Sequence, residues 1–258
     1  MVKILFLGRK NYGAQALTWL VENNFDVIGV VTDSHLELSP TLAVAERYGL
    51  KVYDYDKLHD NQFCSQIEFN VGLSYVFWKK IPKHLIKKPD LGFLNFHPAP
   101  LPDLKGTGGY NIAILEGLQE YGVSCHYMDE TIDTGPIIDV KRFSIDPKLM
   151  TALDLERLSH ETMVKQVREV MLRVRQHGQL PSIRNDGGRY ISRKQMEELK
   201  VIREGDDIDA KIRAFWYPPY SGAQMVINDS YYTLVNSDIL SRLDGDDCAI
   251  FLEKSKLP

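Results

Sequence analysis

Cysteine is scarce in this chain of 258 residues: Cys64, Cys125 and Cys248 are the three present, far apart and never in CxxC spacing. An odd, scattered set makes neither a disulfide framework nor a zinc site, so a cytoplasmic setting and no metal are expected. Long apolar runs are missing too. The opening MVKILFLG has a short apolar run and no small-residue cleavage site, unlike a secretory signal, and no stretch approaches the ~20 apolar residues that cross a bilayer. No membrane partner is expected. Nor is charge of one sign concentrated: Lys plus Arg against Asp plus Glu gives 31 − 35 = −4, a balance without a nucleic-acid footprint. The one basic stretch, Lys79, Lys80, Lys83, Lys87 and Lys88, lies among prolines and apolar residues and reads first as a solvated face, then as a phosphate site.

What is present, 44% hydrophobic and 26% charged residues, suits one good core and a small second one. Ile4 to Leu7 form a continuous apolar run ending at Gly8, Ala14 to Val21 follow at helical spacing, and Val27 to Val31 form a second run. That is a βαβ opening. Leu42 to Tyr48, ended by Gly49, reads as a helix, and Lys51 to Tyr53, Asn70 to Leu73 and Leu91 to Phe96 read as further strands. Apolar strands without polar alternation favour a mostly parallel sheet with helices on both faces, a Rossmann-like α/β fold. Thr151 to Gln176 keeps helical spacing through Leu155, Leu158, Val164, Val167, Met171 and Val174, with Thr151 as N-cap and Gly178 as C-cap. This long helix is expected to close a first domain, residues 1–178. Residues 179–258 then read as a small α+β annex: a turn at Asp186-Gly187-Gly188, a short helix from Asp207 to Trp216, and a β-hairpin of Ala223 to Ile227 and Tyr231 to Val235 about Asn228-Asp229. Two strands are too few to stand alone, so the hairpin is expected to dock on the first domain or to pair across a homodimer.

The turn after the first strand, Gly8-Arg9-Lys10-Asn11-Tyr12-Gly13, lacks the middle glycine of the dinucleotide fingerprint, because Lys10 stands there. A side chain at that point crowds a pyrophosphate, which argues against nicotinamide binding. Arg9 and Lys10 can still meet a substrate phosphate, although loop cations are commonly just solvated.

Chemistry concentrates in two stretches. In Leu94-Asn95-Phe96-His97-Pro98-Ala99-Pro100-Leu101-Pro102 a buried strand runs into a proline-rich loop. Strand side chains alternate, so Asn95 and His97 point the same way at a carboxyl end, where open α/β sheets place ligands. A histidine there serves packing or catalysis; prolines that stiffen the next loop favour catalysis. In Met128 to Ile138 the turn Asp133-Thr134-Gly135-Pro136 follows the alternating Val123 to Tyr127. Alone, Asp133 reads as a turn former; beside His97 it can orient the imidazole and raise its basicity.

LNFHPAPLP, then KGTGG, then YGVSCHYMDETIDTGPII together resemble the folate-dependent formyltransferases, over about residues 1–145. That resemblance implies 10-formyltetrahydrofolate as cosubstrate, without a metal. It implies roles for Asn95 as donor to the formyl oxygen, His97 as general base and oxyanion stabiliser, and Asp133 as the group orienting His97. It places the pterin against the loop Ser74 to Pro82, mainly on backbone groups, with Tyr75, Phe77, Trp78, Lys79 and Ile81 as candidate contacts. Arg9, Lys105, Gly106, Thr107 and Tyr220 are the candidate contacts for the acceptor.

Ile212-Arg213-Ala214-Phe215-Trp216-Tyr217-Pro218-Pro219-Tyr220-Ser221 and the hairpin after it are similar to sugar-nucleotide N-formyltransferases of O-antigen and lipopolysaccharide biosynthesis. The acceptors this implies are GDP-perosamine or a dTDP-linked 3-amino or 4-amino-dideoxyhexose, with Trp216 near Tyr220. The alternatives are methionyl-tRNA formyltransferase, which carries a larger C-terminal domain and a basic surface, and glycinamide ribonucleotide formyltransferase, which carries a glycine-rich loop after the first strand. From other classes come a formyltetrahydrofolate hydrolase, expected to carry an added N-terminal regulatory domain for which a strand starting at Val2 leaves no room, and a silent binding module, which has no need of Asn95, His97 and Asp133 together.

Overall fold

The computed structural model describes residues 1–33 and 39–242; Cys248 and the part of the expected annex at residues 243–258 lie outside the described residues. The central sheet has six strands in the order β2-β1-β3-β4-β6-β7. They are β1 (Lys3–Gly8), β2 (Asp26–Val31), β3 (Val71–Tyr75), β4 (Phe93–His97), β6 (Glu120–Tyr127) and β7 (Ile137–Ser144). β1 pairs parallel with β2 and with β3, β3 pairs parallel with β4, and β6 pairs antiparallel with β4. The expected mostly parallel α/β sheet is therefore present. Between these strands lie α1 (Lys10–Glu22), α2 (Pro40–Arg47), α3 (Asn61–Gln66), α4 (Lys83–Ile86), β5 (Leu104–Gly106) and α5 (Gly109–Leu115), and α6 (Ala152–His177) follows β7.

Local chemistry explains the boundaries. Ser39 caps α2 by accepting from Leu42 N–H at 3.2 Å, with Pro40 in its first turn. Thr151 and Asp154 cap α6 reciprocally: Thr151 N–H donates to Asp154 Oδ2 at 2.8 Å and Thr151 Oγ1 accepts from Asp154 N–H at 3.2 Å. Gly178 ends α6 in the left-handed region, at φ +73. Lys51 to Tyr53 departs from the expected strand. It makes one parallel bridge, Val52 to Val30, and the chain then turns into the 3₁₀ helix Tyr55–His59, so too few residues run beside β2 for a ladder.

By contacts the chain divides into two compact units that interleave in sequence: Met1–Lys105, Gly122–Lys141 and Ser159–Gly188 form one, and Gly106–Tyr121, Arg142–Leu158 and Arg189–Pro258 the other. In the first, Leu5, Leu7, Val31, Leu58, Ile67, Phe69, Ile81, Leu85 and Phe93 form a core, and each such side chain contributes about 1.5–3 kcal/mol of burial. In the second, β8 (Arg189–Ile191) is followed by α7 (Arg193–Lys200), α8 (Ile208–Phe215), the hairpin β9 (Gln224–Ile227) and β10 (Ser230–Thr233), and α9 (Ser237–Arg242). Leu153, Ile212, Trp216, Ala223 and Ile239 make its core. Asn228 and Asp229 both have positive φ, 48 and 61, as a two-residue hairpin turn with the twist of the strands requires.

Candidate active site

The register of β4 with β6 builds the site. Asn95 lies directly opposite His126 and His97 opposite Ser124, and directly opposed residues of an antiparallel pair share a face. Asn95 and His97 share that face by alternation, so all four side chains stand together. Asn95 Nδ2 lies 3.0 Å from His126 Nε2, and His126 Nδ1 lies 2.8 Å from Tyr127 O. A carbonyl only accepts, so Nδ1 carries the proton of neutral His126 and Nε2 accepts from the Asn95 amide.

His97 is held from both sides. Its Nε2 lies 3.1 Å from Leu104 O and its Nδ1 lies 3.5 Å from Asp133 Oδ2. The first is a hydrogen bond in which Nε2–H donates, so the neutral ring keeps its lone pair on Nδ1, toward the carboxylate. The second distance is long for a hydrogen bond, and it becomes an ion pair only when the ring takes a proton on Nδ1. Asp133 Oδ1 is also 3.6 Å from His126 Nε2, so one carboxylate faces both rings. His97, His126 and Asp133 are all buried. Burial lowers the His97 pKa below its ordinary 6.5; Asp133 opposes that, His126 adds to it, and the Leu104 carbonyl opposes it.

The Asp133 turn is tightly specified. Asp133 has φ +55, and a Cβ on Gly135 would lie 1.9 Å from Tyr127 O, so only glycine fits where the chain folds back on β6. Asn185 Nδ2 donates to Asp133 O and Gly135 O, both at 2.9 Å. The proline loop after His97 is pinned by Ser124, whose Oγ accepts from Leu101 N–H and donates to Ala99 O, each at 2.8 Å. Among the described residues no group of three or more His, Cys, Asp and Glu side chains is arranged to hold a metal, and no helix is long and apolar enough to cross a membrane.

Beside this cluster lies the point where strand order reverses, between β1 and β3, the place where open α/β sheets take ligands. Gly8 pairs with Tyr75 there, and Arg9 lies 4.9 Å over the Trp78 ring. Lys79 Nζ stands 4.3 Å over Tyr55 and 5.8 Å from Trp78. Val76, a β-branched residue, has φ +50, a strained conformation of the kind that collects at ligand loops. Of the candidate pterin contacts, Phe77 is half-buried and Trp78 and Lys79 are exposed. Tyr75 and Ile81 are instead core side chains, Tyr75 with its hydroxyl 3.0 Å from His160 Nδ1, so they can offer a ligand only backbone.

The acceptor candidates separate. Arg9 stays at the crevice, but Lys105 spends two N–H groups on the carbonyls of Asn185 and Gly187, at 3.0 and 2.9 Å. Gly106 and Thr107 meet β8: a Cβ on Gly106 would lie 2.5 Å from Ile191 O, to which Thr107 N–H donates at 2.8 Å. Tyr220, in the second unit, is 61% exposed with its ring 5.7 Å from Tyr217, whereas Trp216 is a core side chain. Sequence reasoning missed His126, Asn185 and Ser124. Only His126 left a signal, sharing the alternation of Val123 to Tyr127.

The family model described as Formyl transferase matches residues 2–171. The chain belongs to that family. It is similar to methionyl-tRNA formyltransferases: that of Clostridioides difficile is 25% identical, with 99% of this chain and 86% of the relative covered, and that of Nitrosomonas eutropha is 26% identical, with 94% and 80% covered. Among solved structures, WlaRD, a sugar 3N-formyl transferase determined with dTDP and 5-N-formyl-THF, is 24% identical at a TM-score of 0.71, with 90% of this chain and 84% of that one covered. A 4-N formyltransferase from Francisella tularensis is 16% identical at a TM-score of 0.75, with 91% and 97% covered. At these identities the likeness to solved structures is one of fold. The protein is thus a formyltransferase with the fold those enzymes share.

Proposed function

We propose that this formyltransferase moves the formyl group of 10-formyltetrahydrofolate onto the amino group of a nucleotide-linked amino-dideoxy sugar. The observation that carries the chemistry is the grouping of Asn95, His97 and Asp133 on one face at the carboxyl end of β4. Attack of a neutral amine on the formyl carbon creates an oxyanion and an ammonium together. Asn95 donates to the oxygen without titrating. Neutral His97 takes the ammonium proton on Nδ1, and the imidazolium is stabilised by Asp133 at 3.5 Å and by the Leu104 carbonyl on its other nitrogen. His97 then returns the proton to the departing folate nitrogen, so the ring ends as it began. The strained Val76 loop, with Phe77 and Trp78, is the proposed pterin platform, and Arg9 and Lys79 supply positive charge for the anionic parts of the substrates.

The sugar acceptor is supported by the second unit, with its hairpin, and by relatives of the same fold. One such protein from Helicobacter canadensis, 22% identical at a TM-score of 0.71 with 90% of this chain and 86% of that one covered, was solved with folinic acid and dTDP-3-aminofucose. The curated relatives favour a second reading, methionyl-tRNA as acceptor; the net charge of −4 weighs against a tRNA surface. We place the enzyme in O-antigen and lipopolysaccharide biosynthesis, in the cytoplasm, as a homodimer paired through β9 and β10. Incubation of the folate with GDP-perosamine, dTDP-3-aminofucose, a dTDP-linked 4-amino-dideoxyhexose and methionyl-tRNA decides between acceptors. A mass gain of about 28 Da, expected for a formyl group replacing hydrogen in the amide product, should appear on one amino-sugar nucleotide. A gain on methionyl-tRNA alone refutes the sugar reading.

A further inference from the structure

The two groups that face the nitrogens of His97, the Leu104 carbonyl and the Asp133 carboxylate, belong to segments far apart in sequence, and one chain of contacts ties them together. Lys105 follows Leu104 directly, and its ammonium donates to Asn185 O at 3.0 Å and Gly187 O at 2.9 Å. Asn185 turns its side chain the other way, to Asp133 O and Gly135 O. Its orientation is unambiguous: both neighbours are carbonyls, so the NH₂ group must face them. The isolated antiparallel bridge of Ile183 with Ile137, closed by hydrogen bonds of 2.9 and 2.8 Å, holds the segment just before Asn185 beside the residue two places after Gly135. Asn185 is buried, and its Oδ1 has no hydrogen-bond partner among the described residues. An unpaired buried acceptor costs about 1–3 kcal/mol and calls for an explanation.

We infer that Asn185 is a positioning residue for formyl transfer: its amide, braced by Lys105, sets where the Asp133 carboxylate stands relative to His97. Asp133 sits at positive φ in a turn in which Thr131 N–H and Thr134 Oγ1 both donate to the Asp129 carboxylate. The two donors of Asn185 hold the turn at the carbonyls flanking Thr134, and with it the distance of 3.5 Å to His97 Nδ1. The inference deepens the proposed mechanism and rests on its assignment of His97 as base.

The experiment is a proton NMR titration of the histidines in the full chain without ligands, with the His97 resonance assigned by its loss in His97→Asn. His97 faces two titratable groups in this cluster, Asp133 and His126. In Asn185→Ala the carboxylate is released and its support for the charged ring weakens, so the His97 midpoint moves to lower pH by on the order of half a unit or more. Lys105→Met moves it the same way by less, and keeps the test available if Asn185→Ala fails to fold. Val167→Ala, a cavity in the buried face of α6, lowers thermal stability and leaves the midpoint in place. An unmoved midpoint in a folded Asn185 or Lys105 variant, or an equal shift in Val167→Ala, overturns the inference. Turnover separates the two assignments: in Asn185→Ala it should fall about 10–100-fold in kcat with KM unchanged, whereas retained turnover in His97→Asn removes the catalytic assignment and leaves the positioning geometry standing.

Discussion

Ser124→Ala probes how rigidly the loop after His97 must be held. Ser124 is wholly buried on β6, directly across from His97, and its hydroxyl is the clamp between Ala99 O and Leu101 N–H. Alanine keeps the strand and removes one oxygen, which orphans one buried donor and one buried acceptor. Each orphan costs about 1–3 kcal/mol, so the pair costs roughly 2–6 kcal/mol. No relief from solvent is at hand, because Ala99 and Leu101 are themselves buried. In a chain of this size about 1 kcal/mol moves Tm by about 2–4 °C, which sets the smallest expected drop at about 4 °C. Thermal unfolding by circular dichroism reads it, with Ser65→Ala as the control, since the exposed Ser65 hydroxyl donates to Gln62 O within its own helix and its loss should move Tm by about 1 °C or less. Turnover should fall as well, because the freed loop begins at His97. A Tm within a degree of wild type would show that the hydroxyl carries neither backbone group, and the account of the clamp would be wrong.

Other expected outcomes can be checked directly. His97→Asn should lower kcat by about 10²–10⁴ fold with folate binding retained, and Asn95→Ala by about 10²–10³ fold; near wild-type turnover in either would sink its assigned role. Because His97 has its folded pKa depressed, the unfolded chain binds a proton there first as pH falls below 6.5, so its contribution lowers stability from that pH down toward the folded value and then levels off. Urea unfolding between pH 7.5 and 5.5 should therefore cost wild type more stability than His97→Asn, and parallel losses refute the assignment. Tyr231 and Tyr232, exposed on β10, should hold the dimer, so replacing both with Ser should halve the mass seen by light scattering; a monomeric wild type at micromolar protein would refute the pairing.

Much of the architecture was legible because it is local. The βαβ opening, the long helix with its caps and the two-residue hairpin turn each follow from spacing and turn chemistry within a few residues. The shared face of Asn95 and His97 was legible for the same reason. Their meeting with Asp133 came from a family resemblance, and the geometry adds a distance to it. His126 was hidden because only the register of β6 on β4, 31 residues away, puts it opposite Asn95. Asn185 lies 52 residues from Asp133, and no local pattern marks an asparagine that bonds two remote carbonyls. Lys105 looked like a ligand contact because a cation in a glycine loop carries no sign of the backbone oxygens it meets. Tyr75 and Ile81 looked like contacts because apolar residues of a loop and of a core are the same residues in sequence.

The crowding at Gly135 bears on how this enzyme can change over time. Since a Cβ there would strike the Tyr127 carbonyl, Gly135 admits no side chain unless the turn shifts and moves Asp133 relative to its rings. Glu130, Thr131 and Ile132, by contrast, are exposed at the outer tip, where backbone can lengthen at little cost. Drift in length between β6 and β7 is therefore channelled into residues 130–132. That stretch can acquire new contacts for new acceptors while the reacting groups stay where they are.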